Sequence, residues 1–152
     1  MKSPLVVLGL AFCILAASGC PSDKKPPAAQ PSMAAANSLV GTEWVLKDLG
    51  GTPALSGVQA TLAFPETGRV SGAASCNRFT GTVEIVGSSL KFGPLAATRM
   101  ACADEAVNNQ EAKYLRMLGD AERYESTETS LTLLLPGVEK PLRFARLTPP
   151  KP

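Results

Sequence analysis

The chain contains no histidine, and this absence limits the chemistry that it can perform. Without an imidazole there is no Ser-His-Asp or Cys-His nucleophilic centre, and the commonest zinc ligand is missing. The sequence also lacks a C-x-x-C pair, a P-loop and a G-x-G-x-x-G segment. We therefore predict a protein that is not an enzyme, with no metal site and no cofactor.

The sequence also lacks an excess of charge of either sign. Its 152 residues include 15 lysines and arginines against 13 aspartates and glutamates. Aromatic residues make up only 5% of the chain, and no basic cluster is interleaved with them. Because nucleic-acid binding requires such a basic surface, we predict no nucleic-acid partner.

The chain has one long apolar run, at residues 5–15, which follows Lys2. A membrane-spanning helix needs about 20 apolar residues, so this shorter run is typical of a signal peptide. Residues 16–20 (AASGC) resemble the lipobox of bacterial lipoproteins, where a cysteine thiol is joined to diacylglycerol before cleavage. We predict a signal peptide at residues 1–19 and lipidation of Cys20; the alternative is an ordinary secreted protein cut nearby.

The segment after Cys20 has the composition of a tether. Residues 21–37 (PSDKKPPAAQPSMAAAN) contain four prolines and almost no bulky side chains, so they cannot form a core of their own. We predict that residues 20–37 are a lipidated cysteine followed by a flexible tether. Aspartate in place of Pro21 would have resembled an inner-membrane retention signal. The expected location is therefore the outer membrane, with the domain facing the periplasm.

Two cysteines remain for the exported domain. Cys13 leaves with the signal peptide and Cys20 carries the lipid, which leaves Cys76 and Cys102 in a compartment that permits disulfides. We predict a Cys76–Cys102 bridge. The alternative is two buried free thiols, since cysteine is also a good core residue.

Residues 38–147 have the composition and length of one globular domain, and residues 148–152 are a short tail. Within the domain, short segments of alternating apolar residues are separated by glycine and proline, which indicates antiparallel strands. These segments are residues 42–49, 60–64, 69–72, 82–86, 89–92, 131–135 and 142–147. Gly87 and Ser88 are predicted to form a hairpin turn.

One segment has helical spacing instead. Asp104 is a candidate N-cap for a helix that ends near Leu118, with an apolar stripe on one side. The stripe consists of Val107, Tyr114, Leu115 and Leu118. The predicted fold class is therefore α+β and β-rich: a curved antiparallel sheet or partial barrel of about seven short strands packed on one helix.

Four segments resemble the META domain family, whose fold is also called HslJ-like. They are residues 39–46 (LVGTEWVL), 72–81 (GAASCNRFTG), 95–102 (LAATRMAC) and 142–147 (LRFARL). In the family's central S-G-C-N-R-F motif the cysteine follows glycine directly, whereas here residues 73–75 separate them. The resemblance implies an HslJ-like β-rich fold in a cell-envelope protein. Family members are associated with heat shock, motility, secretion or virulence, with no general biochemical activity.

The two cysteine-containing motifs supply the candidate site. Asn77, Arg78 and Arg99 can form a polar patch held by the disulfide, where the arginines would bind a carboxylate or phosphate. The interpretation favoured over this patch is structural: Asn77 shapes a turn and Phe79 enters the core. Trp44 and Met100 are both expected in the core.

These observations favour an interaction module tethered in the cell envelope, with a role in envelope maintenance or stress response. Its expected partners are the membrane, through the lipid anchor, and an unidentified envelope protein. The alternative is a periplasmic carrier of a small apolar ligand or lipid. A carrier requires a cavity in place of a filled core; its expected lining is Leu62, Phe64, Phe92 or Phe144.

Overall fold

The computed structural model describes residues 39–147. The predicted signal peptide, Cys20, the tether and the tail lie outside these residues. The strands are β1 (Thr42–Leu49), β2 (Thr61–Phe64), β3 (Arg69–Ala73), β4 (Arg78–Val86), β5 (Ser89–Phe92), β6 (Ala96–Ala97), β7 (Arg123–Ser126), β8 (Ser130–Leu134) and β9 (Leu142–Arg146), and helix α1 (Glu105–Gly119) lies between β6 and β7. In the described part of the chain, no helix is long and apolar enough to cross a membrane.

The sheet closes on itself as an eight-stranded antiparallel barrel. Its order is β3-β2-β1-β9-β8-β7-β5-β4, and β4 pairs again with β3, while β6 adds to β4. Strands β5 and β7 share one registered pair, Ser89 with Arg123, and beside it the Leu90 amide donates to the Glu122 carbonyl over 3.0 Å. The prediction of a β-rich antiparallel fold with one helix is confirmed. The number of strands differs, and the barrel is closed rather than partial.

Strand β7 is the barrel strand that the sequence analysis missed. Only Tyr124 is buried in it, and its other three residues are exposed. One buried residue cannot produce a two-residue period, so the segment has no alternating pattern to detect. Its strand conformation comes from pairing with β8, over four registered residues. The sequence analysis therefore identified seven strands, whereas the barrel has eight.

Helix α1 begins where the sequence indicated. The Asp104 side chain accepts a hydrogen bond of 2.8 Å from the Ala106 amide, which satisfies one of the free donors of the first turn. The helix ends at Gly119, one residue beyond the predicted end, and Asp120 caps its C-terminus in a right-handed conformation. The predicted stripe is buried except for Leu115, which is half-buried, and it also includes Gln110 and Met117.

The side chain of Tyr114 extends from α1 into the barrel core. It is fully buried, its ring lies 6.1 Å from that of Phe79 and 6.2 Å from that of Phe144, and its hydroxyl donates to the Thr61 carbonyl over 3.0 Å. The core is therefore built from both the inward faces of the strands and the helix.

The two large side chains expected in the core have different outcomes. Trp44 is 1% exposed, and its indole Nε1 donates to the Thr42 hydroxyl over 2.7 Å, so this prediction is confirmed. Met100 is 62% exposed, and the prediction that it lies in the core is wrong. Its backbone is held against Asn77, as described below, and its side chain extends into solvent.

The four residues named for a carrier cavity do not line one common space. Leu62 and Phe144 are packed in the hydrophobic core cluster. Phe64 and Phe92 are also almost fully buried, and each contributes to a different open groove at the surface. In residues 39–147, this part of the interior is filled by side chains.

Candidate functional site

The structure joins Cys76 and Cys102 in a disulfide, with their Cα atoms 6.2 Å apart. The bridge connects the turn between β3 and β4 to the segment that precedes α1. The two cysteines are separated by 26 positions in the sequence, and closing a loop of that length contributes about 3–4 kcal/mol in the chain-entropy model. The disulfide therefore brings the two cysteine-containing motifs to one place.

Asn77 is the centre of this region, and its role is internal. Only 4% of the residue is exposed. Its Oδ1 accepts from the Thr98 hydroxyl over 2.8 Å and from the Met100 amide over 2.7 Å. Its Nδ2 donates to Glu111 Oε1 over 2.8 Å and to the Met100 carbonyl over 3.2 Å. All four bonding positions of the side-chain amide are occupied, so Asn77 holds the chain rather than a ligand.

Two polar residues of α1 complete the network. Glu111 Oε2 accepts from the amides of Cys76, over 3.1 Å, and Asn77, over 2.7 Å. Gln110 donates to the Ser75 hydroxyl over 2.8 Å and accepts from the Leu55 amide over 2.8 Å. The helix therefore fixes the conformation of the turn between β3 and β4.

Sequence reasoning missed Gln110 and Glu111, although a signal for them is present. Both lie three or four positions after Val107 and before Tyr114, on the apolar side of α1. Polar side chains at such positions require partners from another element, because burial without hydrogen bonds is costly. The partner turn is itself unusual: Ser75 has a φ of +102°, in a region that non-glycine residues rarely adopt.

Arg78 and Arg99 lie on the outer side of this network, and both are exposed. Arg78 is the first residue of β4, and Arg99 follows β6. The Thr98 amide donates to the Arg78 carbonyl over 2.9 Å, which brings the two segments side by side. Within residues 39–147, neither guanidinium has an acceptor or a carboxylate partner. Of the three residues predicted for the patch, Arg78 and Arg99 are available to solvent and Asn77 is not.

The segment 98–102 is a loop whose backbone is held in place and whose outer side chains are exposed; we refer to it as the display loop. Both ends are fixed, by hydrogen bonds at Thr98 and by the disulfide at Cys102. In the middle, the amide and the carbonyl of Met100 are both bound by Asn77. The side chains of Arg99 and Met100 and the neighbouring Ala101 are nevertheless exposed. A fixed backbone that presents a cation and a flexible apolar side chain is suited to binding another molecule, because little entropy is lost on contact.

Comparison with known proteins agrees with this arrangement. The family model "META domain" matches residues 37–148, which include the whole described region. The heat shock protein HslJ of Escherichia coli (strain K12) is 32% identical over 91 residues; the match covers 59% of this chain and 64% of HslJ, so the chain spans less than two thirds of that relative's length.

Two solved structures share the fold. An NMR structure of a protein from Burkholderia xenovorans aligns with a TM-score of 0.63 at 29% identity, over 86% of this chain and 99% of that one. A second NMR structure aligns with a TM-score of 0.60 at 27% identity, over 72% and 92% of the two chains. The motifs, the barrel and the family match agree, and the chain belongs to the META domain family.

Proposed function

We propose that this protein is a non-catalytic interaction module of the cell envelope, held to the outer membrane by lipid on Cys20 and facing the periplasm. Its role is envelope maintenance or stress response. The heat-shock name of its relative supports the second part of this role. The signal-peptide pattern of residues 1–20 supports the anchor.

The display loop is the observation that carries the proposal. The disulfide and the hydrogen bonds of Asn77 hold a segment whose outward side chains make no contribution to the core. Methionine adapts to irregular apolar surfaces, and arginine binds carboxylates through two parallel hydrogen bonds. The loop therefore fits a protein surface that has carboxylates beside an apolar depression.

The charge of the domain favours a protein partner over a lipid surface. Residues 39–147 contain eleven basic and twelve acidic residues, so the domain has almost no net charge. Each basic residue near an anionic membrane contributes only about 1 kcal/mol. Arg78 and Arg99 alone are thus too few to bind the domain to lipid, and the membrane contact is assigned to the anchor.

Replacing Cys20 with alanine tests the anchor. We expect the variant to move from the membrane fraction to the soluble fraction of the envelope, because no acyl chain remains. Fractionation followed by immunoblotting measures this, with Cys13→Ala as a control that leaves the lipidation site intact. A Cys20→Ala variant that stays in the membrane fraction would contradict lipid anchoring.

Site-specific photo-cross-linking tests the display loop. A photoreactive amino acid at Met100 is expected to join the protein to a discrete partner in cells. The same group at Lys47, an exposed position on β1, serves as the control. Reversing Arg78 and Arg99 to glutamate should reduce the Met100 product by about tenfold or more. Equal products from positions 100 and 47, insensitive to the arginines, would refute the proposal.

A further inference from the structure

A groove of about 610 Å³ lies at the other end of the domain. It is formed by the β4–β5 hairpin, the chain that follows α1, and the loop between β8 and β9. This volume is within the range of natural ligand sites. Leu90, Ala121 and Leu135 are almost fully buried beneath it, whereas Val86 is 67% and Val138 is 46% exposed. The groove therefore has an apolar floor and two apolar side chains that are open to solvent.

The charged residues around this groove are mostly acidic. Glu84, Asp120 and Glu122 line it, against the single cation Lys91. Within residues 39–147, none of these three carboxylates is in an ion pair. The groove is thus an apolar surface with an excess of negative charge.

The display loop has the opposite character. Arg78 and Arg99 are cationic and unpaired, and Met100 is 62% exposed. Val86, Met100 and Val138 are the three most exposed large apolar side chains of the described region. All three belong either to the groove or to the display loop, so one contact between these surfaces would cover them together.

The loop of one molecule cannot reach the groove of the same molecule. Glu84 follows Arg78 by six positions on the extended strand β4, which corresponds to about 20 Å. The display loop precedes α1 and the groove follows it, and a helix of 15 residues is about 22 Å long. Two surfaces at opposite ends of a rigid domain can meet only between separate molecules.

We infer that the groove receives the display loop of a second copy of this chain. Met100 packs against Val86 and Val138, and the arginines face the carboxylates at the rim of the groove. This contact joins two different surfaces, so the copies associate head to tail and each bound pair keeps one free loop and one free groove. Lipid anchoring of neighbouring copies would favour the contact by raising their effective concentration. The inference rests on the proposed function, since it names a second copy as a partner of the display loop.

The test measures association of the exported chain, residues 20–152, with Cys20→Ala to prevent lipidation. Sedimentation velocity from about 10 μM to about 1 mM covers the effective concentrations of tethered modules. We expect the sedimentation coefficient to rise with concentration and to rise less at high salt. A loop variant (Arg78→Glu with Arg99→Glu) and a groove variant (Glu84→Arg with Glu122→Arg) should each weaken association by at least about tenfold.

Mixing the two variants provides the decisive comparison. The loop variant retains the native groove and the groove variant retains the native loop, so an equimolar mixture should form a 1:1 complex that neither forms alone. Arg143→Glu and Glu125→Arg reverse exposed charges away from both surfaces and should leave association unchanged.

Three outcomes would overturn the inference: a Cys20→Ala chain with native loop and groove that stays monomeric, a mixture of the two variants that gives no complex, or a groove already filled by a small apolar molecule in native mass spectrometry. If the copies do not associate but Met100 cross-links to a different protein in cells, the inference fails while the proposed function stands. If neither association nor cross-linking occurs, both fail.

Discussion

Replacing Tyr114 with alanine is expected to lower the free energy of unfolding by about 4 kcal/mol, the typical cost of removing a fully buried aromatic ring. The ring is fully buried where α1 enters the barrel, next to Phe79 and Phe144. In a domain of this size the melting temperature should fall by about 15 °C or more. Thermal and urea unfolding, followed by circular dichroism, measure the effect.

Two milder variants separate the ring from its hydroxyl. Tyr114→Phe leaves the Thr61 carbonyl without its 3.0 Å donor and should cost about 1 kcal/mol. Tyr124 is the matched control, because it is also buried but its hydroxyl has no hydrogen-bond partner in the described residues. Tyr124→Phe should therefore change the stability by less than about 0.5 kcal/mol. Equal losses from both variants would contradict the assigned role of the Tyr114 hydroxyl.

The pH dependence gives an independent check of the same residue. Burial raises the pKa of Tyr114 well above its usual value. The unfolded chain ionises this group near pH 10 while the folded chain keeps it protonated, so its contribution is complete below pH 10 and is lost as the pH rises beyond it. Tyr114→Phe should therefore lose less stability than wild type between neutral and strongly alkaline pH.

Replacing Asn77 with alanine should cost about 3 kcal/mol, because four hydrogen bonds of a buried amide are removed at once. The melting temperature should fall by about 12 °C or more. The display loop should also lose its order, since both backbone groups of Met100 lose their partner. Unfolding curves and amide hydrogen exchange at residues 98–102 measure the two effects.

Two further variants serve as controls for Asn77→Ala: one changes a different asparagine, and the other places a charge at position 77. Asn109→Ala changes an exposed residue of α1 and should be almost neutral. Asn77→Asp places a second carboxylate against Glu111, and two like charges at this distance repel each other in the folded state. The free energy of unfolding of Asn77→Asp should therefore lie closest to that of wild type at low pH, and the difference should grow as the pH rises toward neutrality. An Asn77→Ala protein with unchanged stability would show that the network does not hold the loop.

The sequence predicted the elements that depend on neighbouring residues, and it missed those that depend on contacts between distant segments. Strands β1, β2, β3, β5, β8 and β9 could be predicted because apolar and polar residues alternate along them, and this alternation is visible in the sequence itself. The start of α1 was also local, since the Asp104 side chain bonds an amide only two residues away. Strand β7 has no such period, and its place depends on a neighbour in the sheet.

The candidate site shows the same division at the level of single residues. The motifs favoured a structural role for Asn77, and the structure places it inside, with 4% of the residue exposed. They did not name its partners, and they did not predict that Met100 is exposed. Asn77 is directed inward by Glu111, 34 positions away, and Met100 is directed outward because its backbone is bound to Asn77. No pattern within either motif contains that information.

The sequence by itself determined the β-rich alternation, the capped helix and the motifs of the META domain family, whereas export and lipidation at residues 1–20 stay predictions. These are properties of composition and of contacts between near neighbours. Only the tertiary structure decided that the barrel closes with an eighth strand, that Glu111 binds Asn77 and that Met100 is displayed. It also placed a basic loop and an acidic groove at opposite ends of the domain. Such features depend on pairing and packing between distant segments, whose energies exist only once the chain has folded.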